Sequence, residues 1–200
     1  METKNLIKNQ SRMLFNQHGV RNITLRDVSK KLNKSYGNLT YHYPTKQDVI
    51  LELHRDMNLE LTKLQRPSDN LNLLAYFLAL PAMSYSITLK YLFFSIDFTE
   101  IKRNFSDVYS EIYMSTETRR SKWLSLLKKL KKQGYFNQNI KDDELNYIMF
   151  LSGSARTAYF QTLPASAYNE KAYCKMVNML LKAYLSEAGI KIYDDVLSSC

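Results

Sequence analysis

Glycine, proline and cysteine are scarce in this chain: five, four and two among 200 residues. So few turn formers, and no persistent apolar–polar alternation, exclude a β-sandwich or barrel. Cys174 and Cys200 are too few and too far apart for a metal quartet or a disulfide framework. Both are expected to be reduced, in a reducing compartment. The first ten residues, METKNLIKNQ, hold no apolar stretch of the kind a secretory signal needs. The best apolar run, Leu73 to Met83, contains Pro81 and falls short of the ~20 residues that span a bilayer. No membrane partner is expected, and the chain reads as cytoplasmic. Missing too are a phosphate-cradling glycine loop, paired histidines on a helix and a nucleophile elbow. His18, near the end of the first helix, and His54, beside Arg55 and Asp56, read as surface or packing residues. Neither enzymatic activity nor a cofactor or metal is expected.

What remains is helical almost throughout. The first helix spans about Lys4 to Gln17 and stops at Gly19. A fourth, from about Lys46 to Leu64, carries Ile50, Leu53, Met57, Leu61 and Leu64 at helical spacing, with Pro67 after its end. Asn70–Leu80 and Ala82–Phe98 form an apolar pair broken at Pro81. Asp107–Gln133 turns Trp123, Leu124, Leu127 and Leu130 inward, and Gly134 caps it. Its lysines 128, 129, 131 and 132 complement the helix dipole. Asp142–Leu163 and Glu170–Ala188 are the last two helices expected, followed by Gly189 and a short tail.

Residues 24–48, TLRDVSKKLNKSYGNLTYHYPTKQD, are the most informative stretch. Thr24 is followed three places on by Asp27, Ser35 by Asn38, and Thr45 by Asp48. A hydroxyl at an N-cap accepts a bond from an orphan backbone N–H, and an acid three residues later bonds back to the cap's own N–H. Leu25, Val28 and Leu32 line one face of the first of these helices. Asn33 tolerates the left-handed turn that ends it, and Pro44 disfavours helix at Tyr43. Helix, turn, short helix, stop: this is a helix-turn-helix, whose second helix enters the DNA major groove.

Charge agrees. Residues 1–48 hold nine Lys/Arg against three acids, so +6 of the formal +9 lies in the first quarter of the chain. That concentration is a nucleic-acid footprint. Arg26 and Lys46 each sit in the first turn of a helix, where the macrodipole disfavours a cation by roughly 0.3–1 kcal/mol. Both therefore point to an outside anion. Gly37 sits in the first turn of the recognition helix, where Ala would be better by up to ~1 kcal/mol. Its missing Cβ lets the backbone approach another surface closely.

The segment resembles the DNA-binding domain of the TetR family of bacterial transcriptional regulators. Ile23-Thr24-Leu25-Arg26-Asp27-Val28 is similar to the family's second-helix start. Ser35-Tyr36-Gly37-Asn38-Leu39-Thr40-Tyr41-His42-Tyr43, followed by Pro44-Thr45-Lys46, is similar to its recognition helix and fourth-helix start. Ile7, Leu14, Phe15 and Gly19 fit its first helix. Thr40 stands where the family usually has an aromatic, and Asn33 where it usually has Gly. The resemblance is specific over about residues 5–65 and architectural beyond.

It implies an all-α chain. An N-terminal three-helix helix-turn-helix DNA-binding domain (residues 1–48) would be joined through helix four to a C-terminal helical ligand-binding and dimerisation domain (49–200). Base readout falls to Arg26, Tyr36 and Asn38, with Gly37 allowing close approach. Phosphate positioning falls to Thr24, Ser35, Thr40, Tyr41, His42 and Lys46. The expected partners are a double-stranded DNA operator and a second copy of the chain, met through the last two long helices. Asp142–Leu163 offers Ser152, Gly153, Ser154, Ala155 and Ala158 for close helix approach, and Glu170–Ala188 an apolar stripe of Tyr173, Val177, Leu180, Leu181 and Tyr184. The aromatic middle helices suit a small apolar or aromatic effector, although aromatics at helical spacing also serve as plain core. The reading is an effector-responsive homodimeric repressor. The alternative is an effector-independent DNA-binding or nucleoid-organising protein of the same fold.

Overall fold

The structure is a computed structural model describing residues 2–64 and 72–199. Its elements are α1 Glu2–His18, α2 Leu25–Lys31, α3 Tyr36–His42, α4 Lys46–Lys63, α5 Leu73–Lys90, α6 Phe93–Ile96, α7 Phe98–Asn104, α8 Ser106–Lys132, α9 Asp142–Thr162, α10 Glu170–Lys182 and α11 Glu187–Ser199. One 3-10 turn, Ala165–Ala167, and one isolated bridge, Phe136 to Leu185, complete the regular structure of the described residues. The all-α expectation holds. Pro67, the expected helix start at Asn70, and Cys200 lie outside the described residues; Cys174 is buried.

All three helix starts of the 24–48 segment form. Thr24 and Asp27 close a full capping box at α2. At α4, Thr45 N–H donates to Asp48 Oδ2 (2.8 Å) and Asp48 N–H to Thr45 Oγ1 (3.2 Å). At α3 Ser35 accepts from Asn38 N–H without the return bond, because an amide there is a poorer acceptor than a carboxylate. Asn33 takes φ 51° after α2. Lys34 N–H then reaches Ser29 C=O (3.0 Å) and Asn33 N–H reaches Lys30 C=O (3.1 Å), which satisfies the last carbonyls of the helix. Gly134, φ 81°, ends α8 in the same way.

The chain divides into two compact units. The first runs to Leu61 and takes in Ile87–Ser115; the second comprises Thr62–Ser86 and the residues from Thr116 onward. In the first, Ile7, Phe15, Val20, Val28, Leu39 and Ile50 form the core. Phe93 meets Phe15 edge-on at 5.4 Å. Asn16 fastens α1 to the segment before α6, donating to Lys90 C=O and accepting from Phe93 N–H, both at 3.0 Å. The second unit is built on Leu74, Leu78, Leu127, Leu130, Leu145 and Leu181. There Asp142 pairs with Lys128 at 2.8 Å and Lys131 at 3.7 Å, which draws the start of α9 to the end of α8.

Two expected boundaries are corrected. Pro81 does not break the apolar pair: α5 runs through it. A helix-interior proline costs ~3 kcal/mol, but Leu78, Leu80 and Pro81 itself are all buried, and burial on both flanks holds the helix together. Ser84 Oγ also donates to Leu80 C=O at 2.8 Å. By length and composition α5 could cross a membrane, with a mean hydropathy of 1.3, yet Leu74, Tyr76, Phe77 and Leu78 are core residues of the second unit. The second correction concerns the last helix. It stops at Lys182 and restarts at Glu187. The intervening backbone pairs with the loop after α8 instead: Asn137 N–H donates to Tyr184 C=O (2.9 Å) and Ser186 N–H to Tyr135 C=O (3.1 Å).

This pairing explains Gly189, which lies inside α11. A Cβ there would stand 2.3 Å from Tyr135 C=O. Gly189→Ala should therefore destabilise the protein by about 1–3 kcal/mol despite alanine's better helix propensity, read as a lowered midpoint in chemical denaturation.

Candidate nucleic-acid interface

α2 and α3 are each seven residues long, too short to persist alone, so packing must hold them. α2 inserts Leu25 and Val28 into the first core, with Leu32 packed against it. α3 is anchored by Leu39 and by Tyr43 just beyond its end, both buried. That anchorage turns its other side outward: Tyr36 is 42% exposed and Tyr41 84% exposed. Gly37 and Asn38 are exposed as well.

Gly37 aside, the sequence-derived residues fall into two groups. Some have polar groups already engaged. Thr24 Oγ1 donates to Asp27 Oδ2 at 2.6 Å while accepting from Asp27 N–H at 3.3 Å. Its hydroxyl is a cap, and these bonds hold the Asp27 carboxyl below the usual aspartate range. Thr40 Oγ1 lies over its own helix, donating towards the carbonyls of Tyr36 (3.2 Å) and Gly37 (3.3 Å). Lys46 Nζ donates to Val20 C=O at 2.8 Å and Ile23 C=O at 3.0 Å. Burial lowers its pKa. The cation at the α4 start thus already has carbonyl partners within the chain.

The others keep donors in hand. The Arg26 guanidinium lies over the Tyr36 ring, Cζ 4.6 Å from its centroid, and its N–H groups bond no described acceptor. The Asn38 amide and the Tyr36 and Tyr41 hydroxyls have no partner among the described residues; Ser35 accepts at its oxygen and keeps its proton. The His42 ring packs edge-on against Tyr41 at 5.2 Å. Arg26, Tyr36, Asn38, Ser35, Tyr41 and His42 are thus brought together on α3 and the start of α2 with polar groups unspent.

Charge divides likewise. Lys8 pairs with Asp56 at 2.5 Å and Arg12 donates to Lys90 C=O at 3.1 Å, so neither is a spare cation. Arg21, Lys30, Lys31 and Lys34 form no ion pair with a described residue.

Sequence reasoning missed the residue that completes the mounting. Asp97, between α6 and α7, accepts Val20 N–H on Oδ2 at 2.8 Å. Burial raises its pKa, and the Val20 bond opposes that. The Val20 backbone is therefore held at its N–H by Asp97 and at its C=O by Lys46. Nothing local marks an aspartate 77 residues away as the partner of this loop.

The fold and this surface together define an all-helical protein with an N-terminal helix-turn-helix. Residues 7–53 match the family model described as bacterial regulatory proteins, tetR family. A TetR-family transcriptional regulator from Marinobacter aquaeolei VT8 is 21% identical and superposes with a TM-score of 0.82 over 98% of each chain. The ketosteroid transcriptional regulator KstR2 of Mycobacterium tuberculosis, 14% identical, gives 0.72 over 92% of this chain and 96% of its own. The fatty acid degradation regulator FadR from Bacillus halodurans, 16% identical, gives 0.72 over 89% and 93%. Comparison with curated proteins gave no match. The chain has the fold of TetR-family transcriptional regulators and carries a tetR-family helix-turn-helix domain at residues 7–53.

Gly37 separates stability from function. An added Cβ would meet nothing within 4 Å, so the chain's own packing does not require glycine there. Gly37→Ala should raise stability by up to about 1 kcal/mol in thermal melts. In duplex titrations the same variant should bind DNA more weakly, as the expected close approach of the α3 backbone to DNA requires.

Proposed function

We propose that the protein is a sequence-specific DNA-binding regulator, acting in the cytoplasm as a homodimeric repressor. The observation that carries this is the set of unspent donors on α2 and α3, above all Arg26 and Asn38, gathered on one exposed surface. Arg26 suits a guanine edge and Asn38 an adenine edge. Ser35, Tyr41 and His42 position phosphates, and Gly37 admits the backbone. Thr24 contributes to phosphate positioning mainly by capping α2, and Thr40 by a hydroxyl held against the carbonyls of α3. Lys46 keeps one ammonium donor for a phosphate after holding the loop. Selection of bound fragments from random duplexes should return a near-palindromic site. Arg26→Ala should then cost ~1–3 kcal/mol and relax preference at one position per half-site. Unchanged selectivity would remove Arg26 from base readout.

Two copies are needed to reach half-sites about 34–36 Å apart, or a multiple of that. The exposed faces of α9 and α10 support the pairing. Tyr147, Phe150, Ser154 and Ala158 recur at i, i+3, i+7 and i+11 on α9, and the first two are 57% and 60% exposed. On α10 the expected stripe does not face outward, since Tyr173, Val177 and Leu181 are buried within the chain, but Met179 is 58% exposed. Gly153, beside this stripe, has open space over its backbone. Phe150→Arg should convert a dimer to a monomer in sedimentation and weaken operator binding with it. A monomeric native protein would rule this interface out.

An effector-responsive switch fits proteins of the same fold, one described as a ketosteroid transcriptional regulator and one as a fatty acid degradation regulator. By that likeness the effector is small and apolar or aromatic, and it must bind the two states of the protein unequally. The effector-independent reading is favoured by one observation. Tyr173 stacks against Tyr85, Tyr159 and Phe160 at 5.2–5.3 Å between ring centroids. An effector entering there must part rings that already pack on one another.

A further inference from the structure

Arg26 and Tyr36 both entered the proposed interface as base readers. Their geometry assigns them different tasks. Arg26 is the second residue of α2, at the positive end of the helix dipole. A free arginine side chain in that place is repelled by its own helix and samples many rotamers. Here the guanidinium lies over the ring of Tyr36, the first residue of α3, with Cζ 4.6 Å from the centroid. The negative face of the ring attracts the cation, and the contact uses none of the N–H donors. Those donors are what bidentate recognition of guanine O6 and N7 requires.

We infer that Tyr36 is a positioning residue for Arg26: its ring is the platform that presents the guanidinium to a base pair, and specificity at that base pair belongs to the two residues jointly. This rests on the DNA-binding reading above. The platform is rigidly mounted. Ser35 caps α3 through Asn38 N–H at 3.1 Å, Leu39 is fully buried, and the left-handed Asn33 sets the turn that brings α3 beside α2. Ser29 Oγ donates to Arg26 C=O at 2.8 Å and fixes the backbone from which the arginine projects. An aromatic ring is required at position 36; the phenolic hydroxyl is not.

The test compares Tyr36→Phe and Tyr36→Leu, each in the native and the Arg26→Ala background, on the operator selected by the native protein and on randomised operators. Tyr36→Phe should keep the native base preference. Tyr36→Leu should lose about tenfold in affinity, the scale of one good base contact, and flatten preference at the same base-pair position as Arg26→Ala. In the Arg26→Ala background Tyr36→Leu should cost nothing more. An equal cost in both backgrounds, flattening at a different position, or Tyr36→Phe behaving like Tyr36→Leu would each overturn the assignment. In the free protein, NMR should show the Arg26 side-chain protons displaced by the ring current in the native protein and in Tyr36→Phe, and undisplaced in Tyr36→Leu; their being undisplaced in the native protein also overturns it. If the native protein selects no operator, the DNA-binding reading falls together with this one. If it selects an operator and the cycle is additive, only this assignment falls.

Discussion

The backbone of Val20 is held at both its N–H and its C=O, and the helix-turn-helix hangs on it. Asp97 accepts its N–H and Lys46 donates to its C=O, each at 2.8 Å, while Lys46 also reaches Ile23 C=O. The loop between α1 and α2 has no regular structure to satisfy its backbone, so a buried loop there would otherwise carry unpaired polar groups. Side chains from the α4 start and from the α6–α7 junction supply the partners. The direction in which α2 leaves the loop is thereby set, and with it the placement of α3. Because the two partners lie on different segments of the same unit, that loop, α4 and the α6–α7 region are bound into one mounting for the recognition helix.

On this mounting, residues of one chemical type do opposite jobs. The Thr24 hydroxyl is locked into a cap, whereas the Ser35 proton is left over. Lys8 and Arg12 serve the fold, whereas Arg26 is spread over a ring with its donors unused. Two positions are poor choices for stability alone: a cation in the first turn of α2, and a glycine in the first turn of α3 that no neighbour demands. Capping boxes at α2 and α4 and a closed core around Leu39 offset those losses. Stability conceded on the outward side of α2 and α3, where no packing demands it, is the physical signature of a surface shaped for something other than folding.

The second unit is governed by packing of large side chains. Tyrosine hydroxyls in its aromatic cluster are used for the backbone: Tyr159 donates to Asn169 C=O at 2.9 Å and Tyr168 to Phe160 C=O at 2.8 Å. These bonds secure the connection between α9 and α10. The faces of those two helices that carry Tyr147, Phe150 and Met179 remain uncovered in the single chain. Such exposure of large apolar groups is costly unless a second surface covers them.

Local signals by themselves determined a great deal. The three hydroxyl-led helix starts, the left-handed residue at Asn33, the stop at Pro44 and the glycines ending α1 and α8 all act through neighbours within six residues, so they could be read in order along the chain. The apolar periodicity that placed α4 and α8 is equally local. What only the tertiary structure decided depends on partners far apart in sequence. Pro81 stays inside a helix because burial on both flanks outweighs a local preference, and the last helix breaks after Lys182 because a distant loop competes for its backbone. The pairing of Asp97 with Val20, the diversion of Lys46 to carbonyls, and the meeting of Arg26 with Tyr36 have the same origin. A residue's type shows which bonds it can make; only the folded chain shows which of them are already made.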